Sequence, residues 1–397
     1  MANNCQMRSG VEPRKAHPMS NEPHSDANEA CSRLREVLLA TRGQDRRAFL
    51  HALGKAAAGS ALLSPFGALS AAAEIKPMTY FTYGGAWKKA IMAAFGEPFT
   101  KKTGIPVRYQ EPYNFGKLVA MHQAHAQQID AVTVSGVEVI IAQRSGMVTP
   151  LDWSLIDKSA LSDVQLRRPN VIGGESQSMN VTYSIKKWPG GEHPNSWADF
   201  WNVEKFPGRR ALRRDALWTI EAAVTADGVK ESEFYPIDLD RAFRSLDRIK
   251  PHIKTWWSDN SQSQQLMEQD EVDLIHMTNG RATQSILDHK APFALVWNGA
   301  TYSGHSEGWF VPTGCPNPIG GMKFLDIVGR AEYQATFARL LYYAPQNPKA
   351  IPLLDDKIAK LMPSYPANAK VSHVVNYDWW ADNLKTVQRR FEEWLQS

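Results

Sequence analysis

Cysteine is scarce in this 397-residue chain: there are three, and Cys5 and Cys31 both precede residue 73. Cys315 stands alone in the remainder, which excludes an internal disulfide there and a zinc site built on cysteine pairs. Strongly apolar runs are scarce too. The longest, Ala52 to Leu69, is rich in Ala and Gly, is interrupted by Lys55 and Pro65, and falls short of the ~20 strongly apolar residues that span a bilayer. An excess of one charge is also missing from the body. The formal net charge is +4, yet residues 1–73 hold nine Lys/Arg against six Asp/Glu, leaving thirty-six against thirty-five beyond them. A nucleic-acid binder needs a basic face that neutralises several phosphates. The one candidate, Arg209-Arg210-Ala211-Leu212-Arg213-Arg214, reads as a solvated loop flank. Catalytic signatures are absent as well: no Gly-x-Ser-x-Gly, no His-Glu-x-x-His, no Walker loop, and no Gly-x-Gly-x-x-Gly after the first strand. His122 and His125 share a helix face but have no third ligand nearby in sequence, so they read as solvated.

What is present begins with an export pattern. Asp45-Arg46-Arg47-Ala48-Phe49-Leu50 precedes the weakly apolar run, and Ser70-Ala71-Ala72-Ala73 supplies small residues for cleavage before Glu74. Adjacent arginines followed by Phe-Leu resemble a twin-arginine signal, so residues 1–73 are expected to be an N-terminal extension plus signal. The mature protein is then soluble and periplasmic.

From Met78 onward the chain alternates strand, turn and helix. Strands are expected at 78–83, 107–109 and 131–134, with helices at 86–102, 115–128 and 137–144. Glycine and proline near 170–200 break the alternation. Helical periodicity returns at 216–226, 239–249, 262–269, 322–341 and 379–395, with strands at 272–277 and 293–296. This order implies an α/β fold of two lobes, with ligand chemistry at strand C-termini. All thirteen Trp and twelve Tyr follow residue 73. Tyr83, Trp218, Trp297, Tyr302, Trp309, Tyr343, Trp379 and Trp380 border turn-forming segments, where a cleft opens. Aromatic faces attract organic cations, and Asp215 and Glu307 are the acids whose loop context suits them to add a charge-assisted hydrogen bond.

Ordered motifs across 74–397 give a resemblance. Tyr83-Gly84-Gly85-Ala86-Trp87, Pro98-Phe99-Thr100-Lys101-Lys102-Thr103-Gly104-Ile105-Pro106-Val107, Ser145-Gly146-Met147-Val148, Pro194-Asn195-Ser196-Trp197, Phe206-Pro207-Gly208 and Tyr343-Ala344-Pro345-Gln346-Asn347 occur in series. Together they resemble the extracytoplasmic solute-binding proteins of ABC transporters, in the spermidine/putrescine-binding branch. The resemblance implies a hinged type II periplasmic binding protein fold, with one lobe of 74–182 and 306–350 and another of 183–305 and 351–397. It also implies a small cationic amine such as putrescine or spermidine in the interlobe cleft, a membrane permease with its ATPase as partners, and no cofactor, metal or catalysis. Carried over position by position, the ligand-binding residues are Tyr83, Gly84, Ser135, Asp215, Trp218, Thr278, Asn279, His305, Glu307, Tyr343 and Trp380. The pattern departs from the polyamine receptors in three places: Trp218 replaces an acid, while Thr278 and His305 replace aromatic residues. Those changes keep open an amino-acid-like or opine-like solute, a metal or oxyanion ligand, or an exported enzyme using His305 and Glu307 as an acid/base pair.

Overall fold

A computed structural model describes residues 76–397 apart from Ser306. The expected extension and export signal lie outside the described residues. Among the described residues no helix is long and apolar enough to cross a membrane.

The chain starts with β1 (Met78–Phe81), a helical stretch over 85–103, β2 (Val107–Gln110), a helix at Phe115–Gln123, β3 (Ala131–Val134) and α1 (Gly136–Arg144). β1 pairs in parallel with both β2 and β3, as strands joined by crossover helices must. The sheet order therefore places the C-terminal ends of β1 and β3 side by side.

A two-residue strand β4 (Glu175–Ser176) leads across Gln177 into β5 (Ser178–Ser184), which belongs to a second sheet. The expected lobe boundary at 182/183 falls inside β5 and needs correction. β5 pairs without interruption with the later strand Leu274–Thr278 from Met179 to Tyr183, so the crossing precedes it. The second half then builds β6 (Arg210–Arg213), α2 (Ala216–Ala226), β7 (Ile253–Trp257), β8 (Leu274–Thr278), α3 (Asn279–Leu287), β9 (Phe293–Leu295) and β10 (Thr301–Tyr302). Next, β11 (Gly308–Phe310) returns to the first sheet as the antiparallel neighbour of β3. The chain continues through α4 (Ala331–Leu341), β12 (Ala344–Pro345), β13 (His373–Val374) and α5 (Tyr377–Gln396). The sheets run β11-β3-β1-β2 and β13-β10-β5-β8-β6-β7, with β9 also on β5 and with β12-β4 forming a small ladder between crossings.

Each sheet has its own apolar core. Tyr80 stacks on Trp309 at 5.4 Å within the first, and Trp197, Phe200, Trp257 and Met277 fill the second. The crossings are tied together. Gln177 and Ser303 exchange two hydrogen bonds, and the Asn279 amide accepts from Ser178 N at 3.0 Å while donating to Tyr342 O at 2.8 Å. One side chain thus joins the first crossing to the third.

Two sequence expectations change here. The helix expected at 322–341 is two helices, Pro318–Gly329 and Ala331–Leu341, because Arg330 is extended (ψ 141°) and pairs with Asp326 and Asp157. The basic cluster is solvated only at its ends, where Arg209 and Arg214 are exposed. It forms β6, where Arg210 is 1% exposed and donates to the carbonyls of Phe200, Phe206 and Gly208.

Candidate functional site

The C-terminal end of β3 shapes one wall. Ser135 is the N-cap of α1, and both its backbone N–H and its hydroxyl donate to Glu138 Oε2 at 2.9 Å, so the carboxylate reaches back to the cap of a Ser-x-x-Glu start. Tyr113 adds a third donor at 3.0 Å. Burial raises the Glu138 carboxyl above its ordinary range, and these three hydrogen bonds hold it partly back. Beyond β1, Tyr83 lies 4.5 Å from the Tyr113 ring and edge-on to Trp87. Its surface is 40% exposed. Burial and then the charges of Glu138, Glu307 and Glu175 push its ionisation up, while Arg213 opposes them. Side chains from both halves therefore act on one phenol.

The floor is acidic. Glu175 Oε2 accepts from Trp309 Nε1 at 2.7 Å and Oε1 from Thr133 Oγ1 at 3.3 Å, while Glu307 Oε1 accepts from Gln177 Nε2 at 2.9 Å. Both are buried, and among the described residues neither has a Lys or Arg within ion-pair distance. Desolvation raises both carboxyls well above their ordinary range; for Glu307 the charge of Glu175 adds to it. A cationic group placed here gains attraction from acids that lack a countercharge.

The opposite wall comes from the end of β6. The Arg213 guanidinium carbon stands 5.2 Å from the centre of the Trp257 ring, its Nε is buried without an acceptor, and no carboxylate pairs with it among the described residues. Its charge is felt by neighbours: after burial, it is what depresses the ionisation of His276. Two residues on, Asp215 caps α2 by accepting from Trp218 N at 3.3 Å. The first residue of α5, Tyr377, lies against Gly136, next to Ser135. Its ionisation is raised by burial, then by Glu307, Tyr235, Glu221 and Asp215. Tyr83 thus stands under the influence of the Glu138, Glu307 and Glu175 carboxylates and of the opposing Arg213 guanidinium.

Comparison with known proteins fits this geometry. The family of bacterial extracellular solute-binding proteins matches residues 94–370. The chain belongs to that family. A γ-aminobutyric acid-binding protein of Pseudomonas aeruginosa is 31% identical over 342 residues, covering 84% of this chain and 95% of that one. The spermidine/putrescine-binding periplasmic protein of Escherichia coli is 24% identical over 323 residues, covering 78% and 89%. Among solved structures, the Atu4243-GABA receptor superposes with a TM-score of 0.73 at 32% identity, covering 81% of this chain and 98% of that one. AgtB from Agrobacterium tumefaciens R10 in complex with agropinic acid superposes with 0.72 at 30%, covering 81% and 99%. The fold of this solute-binding protein is thus the two-lobed α/β fold of periplasmic binding proteins.

Of the residues singled out from sequence, the structure brings Tyr83, Ser135, Asp215 and Glu307 to this site. Gly84 is exposed at its rim, where a methyl group would lie 3.0 Å from Glu111 Oε2. Thr278 is 1% exposed and caps α3, its hydroxyl without a partner among the described residues. Others need correction. Asn279 spends both ends of its amide on the crossings. Trp218 packs into the second core, and Tyr343 packs into the first, 5.9 Å from Trp87. Trp380 is fully buried and donates to Glu221 at 2.5 Å. His305 lines a cavity of about 420 Å³ with Arg167, Arg168, Tyr302 and Asp378, a lining that does not include Arg213; burial, then Arg167, lowers its pKa to about 4. Sequence reasoning missed Tyr113, Glu138, Glu175, Arg213 and Tyr377. Only Glu138 carried a local signal, three residues after the capping serine.

Proposed function

We propose that this solute-binding protein is the periplasmic receptor of an ABC importer and that its ligand is a small zwitterion, an ω-amino acid such as γ-aminobutyric acid or an opine-like derivative. Arg213 carries this reading. A half-buried guanidinium with no carboxylate of its own, its Nε buried and its carbon over an indole ring, is prepared to take a carboxylate through two parallel hydrogen bonds. The ligand's ammonium then faces Glu307 and Glu175. A GABA-binding relative, a GABA receptor and an agropinic acid complex at 30–32% identity support the same class. Arg213→Gln is expected to weaken γ-aminobutyric acid binding at least tenfold with little change in melting temperature; unchanged affinity would refute the assignment.

A diamine such as putrescine is the second reading, favoured by the number of unpaired carboxylates and by the polyamine-binding relatives. Its second ammonium meets Arg213, and two like charges ~4 Å apart at a protein surface cost roughly 4 kcal/mol. Catalysis by His305 and Glu307 has no support in the geometry. Among the described residues no hydrogen bond joins them, and the His305 Nδ1 is unpartnered. Export through the twin-arginine route is proposed from Arg46-Arg47 and the alanines before Glu74; a mature N-terminus far from Glu74 in periplasmic protein would overturn it.

A further inference from the structure

Tyr377 opens α5, and α5 packs on both α1 of the first half and α2 of the second. The seam with α1 is apolar at its centre. Val137 and Ile140 of α1, each 3% exposed, are buried in the cluster built around the second sheet. Ion pairs flank it: Arg144 with Asp382 at 2.5 Å, and Arg168 with both oxygens of Asp378 at 3.0 and 3.3 Å. At its inner end the Tyr377 ring lies flat on Gly136, so closely that a methyl group there would sit 2.6 Å from Tyr377 Cδ2. No real side chain tolerates that approach, so this contact requires glycine.

The other end of the same side chain points to function. Tyr377 is 2% exposed, and its hydroxyl has no hydrogen-bond partner among the described residues. A buried, unpaired hydroxyl is costly unless something supplies a partner. After burial, the charge that acts on it most is that of Glu307, an acid assigned to the solute's positive end, followed by Tyr235, Glu221 and Asp215. Geometry puts the residue beside that acid: its ring lies on Gly136 at the end of β3, and the β3–β11 register, with Gly308 opposite Val134, brings Glu307 to the same end.

We propose that Tyr377 couples solute capture to closure: its ring seats on Gly136 across the seam, and its hydroxyl oxygen accepts a hydrogen bond from the solute's ammonium group. The ammonium group rests on the reading given under Proposed function; the seam does not. An ammonium has three donors, and Glu307 with Tyr377 satisfies two of them only when α5 is seated on α1. Binding free energy available only in the shut form is what drives closure.

The test uses calorimetry and small-angle scattering on the full-length protein, with γ-aminobutyric acid and putrescine as probes. Tyr377→Phe keeps the ring and is expected to weaken whichever amine the wild type binds about tenfold at unchanged melting temperature. Gly136→Ala favours the helix, so the fold is retained, but it displaces the ring. Saturating ligand is expected not to shrink its radius of gyration as it does the wild type's, and Gly136→Ala/Tyr377→Ala is expected to restore compaction. If the wild type binds only putrescine and Tyr377→Phe still costs tenfold, the amino-acid assignment fails and the coupling stands. If γ-aminobutyric acid binds and Tyr377→Phe leaves affinity unchanged, or Gly136→Ala compacts normally, the coupling is overturned and the ligand assignment stands. Binding of neither amine removes the ammonium contact as well.

Discussion

The guanidinium of Arg213 lies over the face of Trp257, 5.2 Å from the ring centre, on the neighbouring strand. Register explains the pairing: Arg213 and Trp257 are direct partners in the parallel β6–β7 ladder, so their side chains leave the sheet on the same face. The indole contacts the guanidinium without neutralising it, which a carboxylate could not do while leaving the charge available. Trp257→Leu is therefore expected to lower affinity for γ-aminobutyric acid by about fivefold, the ~1 kcal/mol scale of a partly desolvated cation–π contact. Isothermal titration checks this, and an unaffected dissociation constant would mean the stacking is incidental.

The acid pair on the floor makes both stability and binding depend on pH. Desolvation raises Glu175 to about 7 and Glu307 to about 8, Glu175 adding to the latter. Between the unfolded carboxylate value near 4.3 and these folded values, the native state holds more protons than the unfolded one. Stability from this pair is thus complete below the unfolded value near 4.3, declines as pH rises above it, and is lost once pH passes about 7 to 8. A cationic ligand favours the ionised pair, so affinity moves the other way and rises with pH across the same interval. Glu307→Gln is expected to flatten both profiles. Titrations in two buffers of different ionisation enthalpy should show proton release on binding near pH 7; proton uptake there would contradict the scheme.

His373 offers a second titration, remote from the ligand. The ring is 4% exposed, stacks on Phe234 at 3.7 Å, contacts Glu221 at 2.7 Å through Nε2 and bonds Glu231 at 2.6 Å through Nδ1. Burial works against protonation, but Glu221 and then Glu231 outweigh it and raise the pKa. Its stabilisation is therefore full below the unfolded value near 6.5 and is lost as pH climbs through the higher folded value. Glu221 also receives Trp380 and Tyr235, so the imidazolium helps fix the start of α5. His373→Gln is expected to lower the melting temperature at pH 6 by several degrees and by less at pH 9, in scanning calorimetry. An equal loss at both values would show packing, not charge, to be the cause.

Much of the first half was legible in the sequence because its strands and helices obey their periods: β3 matches the expected span, and the helix expected at 86–102 runs over 85–103. Helix α2 and the helix Leu239–Ile249 also match. The break at Arg330 was not legible, since apolar spacing continues across it and only the ion pairs with Asp326 and Asp157 mark it. The site was half legible. Tyr83, Ser135, Asp215 and Glu307 follow or cap elements whose ends were readable, whereas Glu175 and Tyr377 reach the site through chain crossings that no local pattern reveals. Aromatic abundance misled in a specific way: Trp380 and Trp309 border turn residues as a cleft residue would, yet both are fully buried, with their indole N–H groups on Glu221 and Glu175. Arg213 was hidden because a run of arginines looks solvated until its strand is known to be central.

Competing titrations of the wild-type protein with γ-aminobutyric acid and putrescine test the ligand class most directly. Saturable heat with the amino acid and none with the diamine at the same concentrations is the expected result. Tight binding of putrescine with silence from the amino acid would show that Arg213 does not read a carboxylate.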